Sequence, residues 1–485
     1  MKKIRISCLL LAMCVLIGCF SGCQLLDYIT GCTNPTEPEE IPNYSTVVPV
    51  YTDDKQLELM IFWMPPIEEQ QYIWMKEYGV TAVLVDGQYH SAEPANRKKI
   101  LDMCEELGMD VYFCMDRERD GSEVMEYEQY LTYSCFAGFY CDEPILKYQI
   151  DNVANQAKNV QKLSPRLRMI CNMLGNYADN PNDYRWYFET EGAFLAAVAS
   201  GQIFDNYAAY VQYMQDAVLS VYDNTVVSAT NYPLADPEKG YGYTLVDTWL
   251  ETLGKSQLAA QAAGHDMWQF IATTAYHSGG GGFYHRQPTE ADIRWMSYMA
   301  LAYGAKGIEE FVYKSISGGV EFDKDDHGPI WWKNQEDYST YYRTEMWYAG
   351  QAVHQELYKF DHVLLSFNWQ GVICHNETND PNVLSVFRKA VGRLSGHKRI
   401  DKIDGTGDLV VGCFQDDNEY DGFLVVNFTE TANNNQETNE VSITFKYATK
   451  ALVYIKGEEQ LVDLTDGVFT HTLLPGEAFF IIPIA

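Results

Sequence analysis

The chain is poor in cations. Lys and Arg number 35 against 67 Asp and Glu, giving a formal charge of −32. That balance excludes nucleic acid as a partner, because phosphates need a basic surface. It also disfavours polyanionic substrates unless a local basic pocket exists. No glycine-rich nucleotide turn follows any early strand pattern, which counts against a doubly wound nucleotide-binding sheet. There is no Cys-x-x-Cys pair and no histidine-rich cluster, so neither a zinc site nor a cofactor is expected. A hard cation held by Asp86, Asp116 and Asp142 would need a compact ligand motif, and none is present. Seven cysteines lie beyond the leader and its flank (Cys104, Cys114, Cys135, Cys141, Cys171, Cys374 and Cys413), an odd set without disulfide-framework spacing. Within apolar patterns such cysteines act as small hydrophobes.

A long apolar span is also missing at the start. Lys2, Lys3 and Arg5 precede the apolar run Leu9 to Ile17, too short to cross a bilayer as a helix and laid out like a secretory signal. Leu16-Ile17-Gly18-Cys19 then resembles the bacterial lipobox, which makes Cys19 the lipidation site and residues 1–18 a lipoprotein signal peptide. Phe20-Ser21-Gly22-Cys23 is a weaker second candidate, and a plain secretory signal is the alternative. The expected location is therefore outside the cytoplasm, on a bacterial membrane through a lipid anchor. Residues 19–56, with Pro35, Pro38, Pro42 and Pro49 among polar and acidic residues, read as an extended tether.

Apolar and aromatic residues are plentiful, at 47% and 14% with 35 Tyr and 10 Trp. Over residues 57–365 short apolar runs alternate with helical patterns, the signature of repeated βα units. Eight strands are expected: 59–64, 80–85, 109–115, 136–141, 167–173, 225–230, 267–273 and 307–313. Ile150, Val153, Ala157 and Val160 share one helix face. Thr289 and Asp292 form a capping-box start for another helix. Eight such units define an α/β fold of the (β/α)8 TIM-barrel type. A helical stretch over 338–365 would close it. From 366 to 485 the pattern changes to short alternating strands with Asp404-Gly405, Asp466-Gly467 and Pro475-Gly476 turns, an antiparallel β-sandwich.

The pivotal stretch is Phe136-Ala137-Gly138-Phe139-Tyr140-Cys141-Asp142-Glu143-Pro144. A buried strand ending in two acids delivers them to the barrel's C-terminal rim, where parallel α/β folds keep their chemistry. Strand alternation sets Asp142 and Glu143 on opposite faces. Pro144 biases Glu143 toward an extended backbone. Asp86 and Asp116 end the second and third strands and are candidate partners. Glu309 and Glu310 begin the eighth, where alternation admits only one to the interior. Trp63, Asn172, Asn231, Tyr232 and Gln269 stand at strand ends and suit a sugar pocket through stacking and amide hydrogen bonds. His277, His285 and Arg286 flank a tetraglycine at 279–282 that could form a lid.

Tyr140-Cys141-Asp142-Glu143-Pro144 resembles the Asn-Glu-Pro or Asp-Glu-Pro at the end of strand four in clan A glycoside hydrolases. Arg294-Trp295-Met296 and Ala300-Leu301-Ala302-Tyr303-Gly304-Ala305-Lys306-Gly307-Ile308 resemble the helix-seven to strand-eight passage of family 42 beta-galactosidases. The resemblance implies hydrolysis of a carbohydrate with Glu143 as acid/base, and it places Asp142 where the family has a sugar-contacting asparagine. Strand seven, Met267-Trp268-Gln269-Phe270-Ile271-Ala272-Thr273, lacks the family's nucleophilic glutamate, so the retaining mechanism does not carry over. Two other readings remain open: a non-catalytic carbohydrate-binding lipoprotein, and a transporter's solute-binding lipoprotein, which would show two hinged lobes.

Overall fold

Strands made of unbroken apolar residues can be buried on both faces, and eight of them close here into a parallel barrel. They are β1 (Glu58–Ile61), β2 (Ala82–Val85), β3 (Asp110–Met115), β4 (Phe136–Cys141), β5 (Arg168–Leu174), β6 (Thr225–Thr230), β7 (Asp266–Ala272) and β8 (Gly307–Phe311). Their order runs β1-β8-β7-β6-β5-β4-β3-β2. Every residue of β2 and β6 is buried. The computed structural model describes residues 44–176, 188, 190–239, 243–278, 284–314, 320–321, 327–334, 337–429 and 436–485. The expected signal peptide, Cys19, residues 20–43 of the expected tether and the tetraglycine lie outside the described residues.

Helices α1 (Glu69–Tyr78), α2 (Pro94–Leu107) and α3 (Lys147–Leu163) follow β1, β2 and β4. A 3-10 stretch, Ser122–Tyr130, stands after β3. The long insertion after β5 carries α4 (Glu191–Ala199) and α5 (Tyr207–Met214), and α6 (Trp249–Ala263) and α7 (Glu290–Ala302) follow β6 and β7. The expected face of α3 is the buried one, with Ile150, Val153, Ala157 and Val160 inward. The Thr289–Asp292 capping box starts α7: Asp292 N donates to Thr289 Oγ1 at 3.2 Å, and Thr289 N donates to Asp292 Oδ2 at 2.8 Å. The expected helix over 338–365 is shorter. Residues 337–343 pair antiparallel with 330–334, and helix α8 (Glu345–Leu357) begins only after them. The cause is local, since Tyr338, Tyr341 and Tyr342 with two threonines near them prefer a strand.

Gly138 on β4 is set against the neighbouring strand so closely that a Cβ would stand 2.0 Å from the Arg168 carbonyl oxygen. Gly138→Ala should therefore cost about 1–3 kcal/mol or more of stability by overpacking, read as a lower urea midpoint with an unchanged slope.

The C-terminal region holds β9 (Phe367–His375), β10 (Ile400–Gly405), β11 (Leu409–Asp416), β12 (Asp421–Asn427), β13 (Asn439–Phe445), β14 (Lys450–Ile455), β15 (Glu458–Asp463), β16 (Val468–Leu473) and β17 (Ala478–Ile484). They form a six-stranded sheet, β9-β11-β12-β17-β14-β15, and a three-stranded sheet, β10-β13-β16. Leu409, Val411, Phe423, Val425, Phe479 and Ile481 pack between the two sheets. Their alternates Val410, Leu424, Val426, Phe480 and Ile482 belong to the barrel's core cluster. The larger sheet is thus apolar on both faces, which is why β12 and β17 read as continuous hydrophobic runs.

The last part of the expected tether is docked rather than free. Tyr51 donates to Asp416 Oδ2 at 3.0 Å, Tyr420 Oη donates to the Val47 carbonyl at 2.9 Å, and Ala485 N donates to the Ser45 carbonyl at 3.1 Å. Among the described residues the seven cysteines from Cys104 to Cys413 are free thiols. Among the described residues no helix is long and apolar enough to cross a membrane.

Candidate active site

The site is built on the end of β4. Glu143 adopts φ +37°, a left-handed backbone, instead of the extended one expected before proline. Tertiary contacts hold this turn: Glu143 N donates to the Asn172 carbonyl at 3.1 Å, and Arg117 Nη1 donates to the carbonyls of Asp142 at 3.0 Å and Glu143 at 2.8 Å. Trp63, Tyr89 and His90 near neighbouring strand ends also have positive φ, at 63°, 51° and 54°. Each such residue stores about 1–3 kcal/mol, and strain of this kind concentrates at functional sites.

The turn overturns the expectation that alternation separates the two acids. Asp142 and Glu143 converge on one polar network. Asn172 Nδ2 donates to Asp142 Oδ1 at 2.8 Å, and Tyr140 Oη donates to the same oxygen at 3.4 Å. Asn172 Oδ1 in turn accepts from Thr230 Oγ1 at 3.0 Å and from Ser228 Oγ at 3.2 Å. The Glu143 carboxyl is hydrogen-bonded to Thr230. Ser228 also touches Glu309 Oε2. Asn172 is 1% exposed and Glu309 0%, whereas Asp142 and Glu143 are partly exposed at the mouth.

Burial, then the negative charge of Asp142, pushes the Glu143 carboxyl up to about 8. Burial also raises Asp142, against the Asn172 and Tyr140 hydrogen bonds and the Arg117 charge that favour its ionised form. Asp142 receives two donors. The single hydroxyl proton of Thr230 is directed to Asn172, so Glu143 completes the network best as a donor. Asp142 is then the ionised member of the pair and Glu143 the neutral one, an arrangement that poises a proton at the rim near neutral pH.

The other expected residues fall into two groups. Asp86 is at the mouth, where it accepts from Gln88 N at 3.1 Å, Gln88 Nε2 at 2.8 Å and Met64 N at 3.3 Å, and burial raises its pKa. Beside it Lys314, 6% exposed, donates to Gln88 Oε1 and Tyr89 Oη, each at 2.6 Å, and burial pushes its ammonium down to about 8. Trp63 is partly exposed. It packs at a tilt on Phe62 and Phe311, with ring centroids 6.1 and 5.2 Å apart, and Tyr232 packs on Phe311 at 5.4 Å, giving the mouth an aromatic wall.

Asp116, Glu310, Asn231 and Gln269 do not join the pair. Asp116 turns into its own loop, accepting from Glu118 N at 2.9 Å and facing Arg119 at 3.5 Å with its side chain 52% exposed. Glu310, a catalytic candidate at the start of the eighth strand, points out of the barrel into the helix layer, because its neighbour Glu309 takes the inward position of β8. Asn231 is 0% exposed and donates to Thr252 Oγ1 at 2.9 Å on α6. Gln269 is 1% exposed and alternates outward between Trp268 and Phe270, donating to the Phe270 carbonyl at 2.9 Å. Of the residues around the tetraglycine, Arg286 clasps Asp292 with two bonds of 2.8 Å. His285 is 5% exposed, its Nδ1 3.1 Å from the Leu234 carbonyl, and burial pushes it down to about 3.

Sequence reading missed Ser228, Thr230, Arg117 and Lys314. Ser228 and Thr230 left a signal, two polar residues spaced by two at the end of the strand Thr225–Thr230. Lys314 follows the eighth expected strand by one residue.

A closed eight-stranded parallel barrel with paired acids at its C-terminal mouth and a sandwich behind it is a TIM-barrel architecture. No protein-family model matches the chain, and no curated protein matches it in sequence. Solved structures similar to it include a GH30 endoxylanase from Clostridium papyrosolvens C71, with 11% identity over 89% of this chain and 97% of that one at a TM-score of 0.36. Another is a GH27 β-L-arabinopyranosidase from Geobacillus stearothermophilus, with 10% identity over 89% and 97% and a TM-score of 0.47. A third is α-galactosidase I from Mortierella vinacea, with 9% identity over 89% and 97% and a TM-score of 0.44.

Proposed function

We propose that this chain is a glycoside hydrolase acting on a neutral glycan, exported and lipid-anchored at Cys19. The observation that supports it most is the acid pair at the end of β4, where burial and the neighbouring Asp142 push Glu143 up to about 8 and Asn172 donates to Asp142, with an aromatic wall nearby. In this reading Glu143 gives its proton to the glycosidic oxygen as the bond to the anomeric carbon breaks. Asp142 stabilises the positive charge that develops on the sugar ring. Asp86, the remaining strand-end carboxylate at the mouth, takes a proton from the water that completes the anomeric carbon. Such a route inverts configuration. The network on Asn172 orients Asp142, and Trp63 supplies a face for stacking. The −32 charge fits a neutral substrate.

A second reading is a non-catalytic carbohydrate-binding lipoprotein. The end of β7 favours it: Thr273 and Thr274 stand where an acid is missing, and the Thr273 hydroxyl is committed to the Val312 carbonyl at 2.9 Å.

One experiment separates the two. Neutral oligosaccharides of varied linkage are incubated with the protein expressed with its leader, and products are followed by proton NMR. Turnover with an inverted anomer, in a membrane fraction from which Cys19→Ser releases the activity, is the expected result. Calorimetric binding without turnover on any substrate would leave the binding module as the correct reading.

A further inference from the structure

Asp86 and Glu143 are both carboxyls at the barrel mouth, and burial pushes both toward the neutral form. The chemistry proposed above needs them in opposite states, one holding a proton and the other ready to take one. What differs is the charge beside each. Glu143 has the Asp142 carboxylate, which raises it further, whereas Asp86 has the Lys314 ammonium, which acts against burial.

The placing of Lys314 is built into the fold. Its backbone, just past β8, is bridged to Ile330, and its Nζ donates to Gln88 Oε1 and to Tyr89 Oη, each at 2.6 Å. The ammonium also stands 4.4 Å from the centre of the Tyr89 ring. An ammonium can only donate, so the Gln88 amide must turn its oxygen to Lys314 and its NH2 to Asp86, where Nε2 lies 2.8 Å from Oδ2. One amide therefore links cation and anion. A direct ion pair would draw the carboxylate down into a weak base, while an amide between the two leaves Asp86 both charged and basic.

The other titratable groups facing Asp86 are Tyr72 on α1, Tyr89 after β2 and Cys114 on β3, whose protons burial holds in place, and none of them is a cation. Cys114 also faces Asp142, Asp116 and Arg117, and Glu68 before α1 faces Tyr89 and Tyr341. Burial brings Lys314 down to about 8, so its charge is present at neutral pH and lost above that value.

We propose that Lys314 is a positioning residue that acts across Gln88 to keep Asp86 the ionised carboxylate of the site while Glu143 holds the proton. The inference rests on Asp86 as the base of the proposed reaction. Its test is read without substrate, so its failure is distinguishable from a failure of the hydrolase reading.

The test is a pH titration of the full chain labelled with carboxyl-13C aspartate, the Asp86 resonance being assigned by its loss in Asp86→Asn. Lys314→Met should raise the Asp86 midpoint by about 1 pH unit or more, and Lys314→Arg, which keeps the charge, should hold it near the wild-type value. The sign separates this role from a structural one, because a loosened mouth would admit water and lower a midpoint that burial has raised. An unchanged or lowered midpoint in Lys314→Met would overturn the proposal, as would an Arg variant that rises as far as the Met variant. Coupling between two sites is reciprocal. Asp86→Asn, read at the 13Cε resonance of Lys314, should therefore lower the Lys314 midpoint by a similar amount, and it supplies the answer should Lys314→Met not fold. A Lys314 midpoint that stays or rises in Asp86→Asn would equally overturn the proposal.

Discussion

Glu143→Gln lowers hydrolysis of an unactivated glycan by about 10²–10⁴-fold, the contribution of one positioned acid, while the thermal midpoint stays close to that of the wild type. Glutamine preserves shape and can still hydrogen-bond Thr230, but it has no proton to give. The loss should shrink for an aryl glycoside whose phenolate leaves without protonation. That dependence on leaving group separates an acid from a binding residue. The sign of the pH dependence follows from the raised pKa: the active form is protonated, so the wild-type rate falls as pH rises past about 8. The variant should lose that limb. Equal rates for variant and wild type on a sugar leaving group would remove Glu143 from the mechanism.

His354→Ala lowers stability by about 3–5 kcal/mol, the cost of breaking a buried charged or polar pair by deleting one member. His354 on α8 places Nε2 2.9 Å from Glu310 Oε1, and Tyr78 on α1 donates to Glu310 Oε2 at 2.8 Å. The side chains of His354 and Glu310 are 1% and 0% exposed. His354 Nδ1 also lies 3.0 Å from the Tyr78 carbonyl, so one imidazole ties β8 to two helices. Without it the Glu310 carboxyl keeps Tyr78 alone. Replacing both residues together by leucine should recover much of the loss, because an apolar pair imposes no desolvation cost. Urea unfolding of the single and double variants measures this. A single-variant cost below about 1 kcal/mol would show that the contact contributes no more than a surface pair.

The barrel was legible because each strand is short, apolar and punctuated. β4 and β6 have the expected bounds, and the ends of the other strands lie within three residues of those expected. The site was legible in part. Asp142, Glu143, Asp86, Asn172, Trp63 and Tyr232 gather at or line the mouth. Glu310 and Gln269 do not, because side-chain parity on a short strand depends on which residue is packed inward. On β8 that is set by Gly307, where a Cβ would lie 2.6 Å from the Trp268 ring, a close approach between distant segments. The convergence of Asp142 with Glu143 was illegible for a similar reason. Proline-based expectation is local, and the contacts that impose a left-handed turn come from Arg117 in the loop after β3 and Asn172 on β5.

Helix α7 is buried nearly all round, from Ile293 through Ala302, because it lies between β7 on one side and β11 and β12 on the other. A conventional barrel helix shows water a polar stripe. This one has surrendered it. The sandwich is therefore not an appendage that recombination could trade for another module. Without it Trp295 would lose Phe428, 5.1 Å away, and the Ala302 carbonyl would lose the indole N–H of Trp369 at 3.1 Å, so each part of the fold completes the other's core.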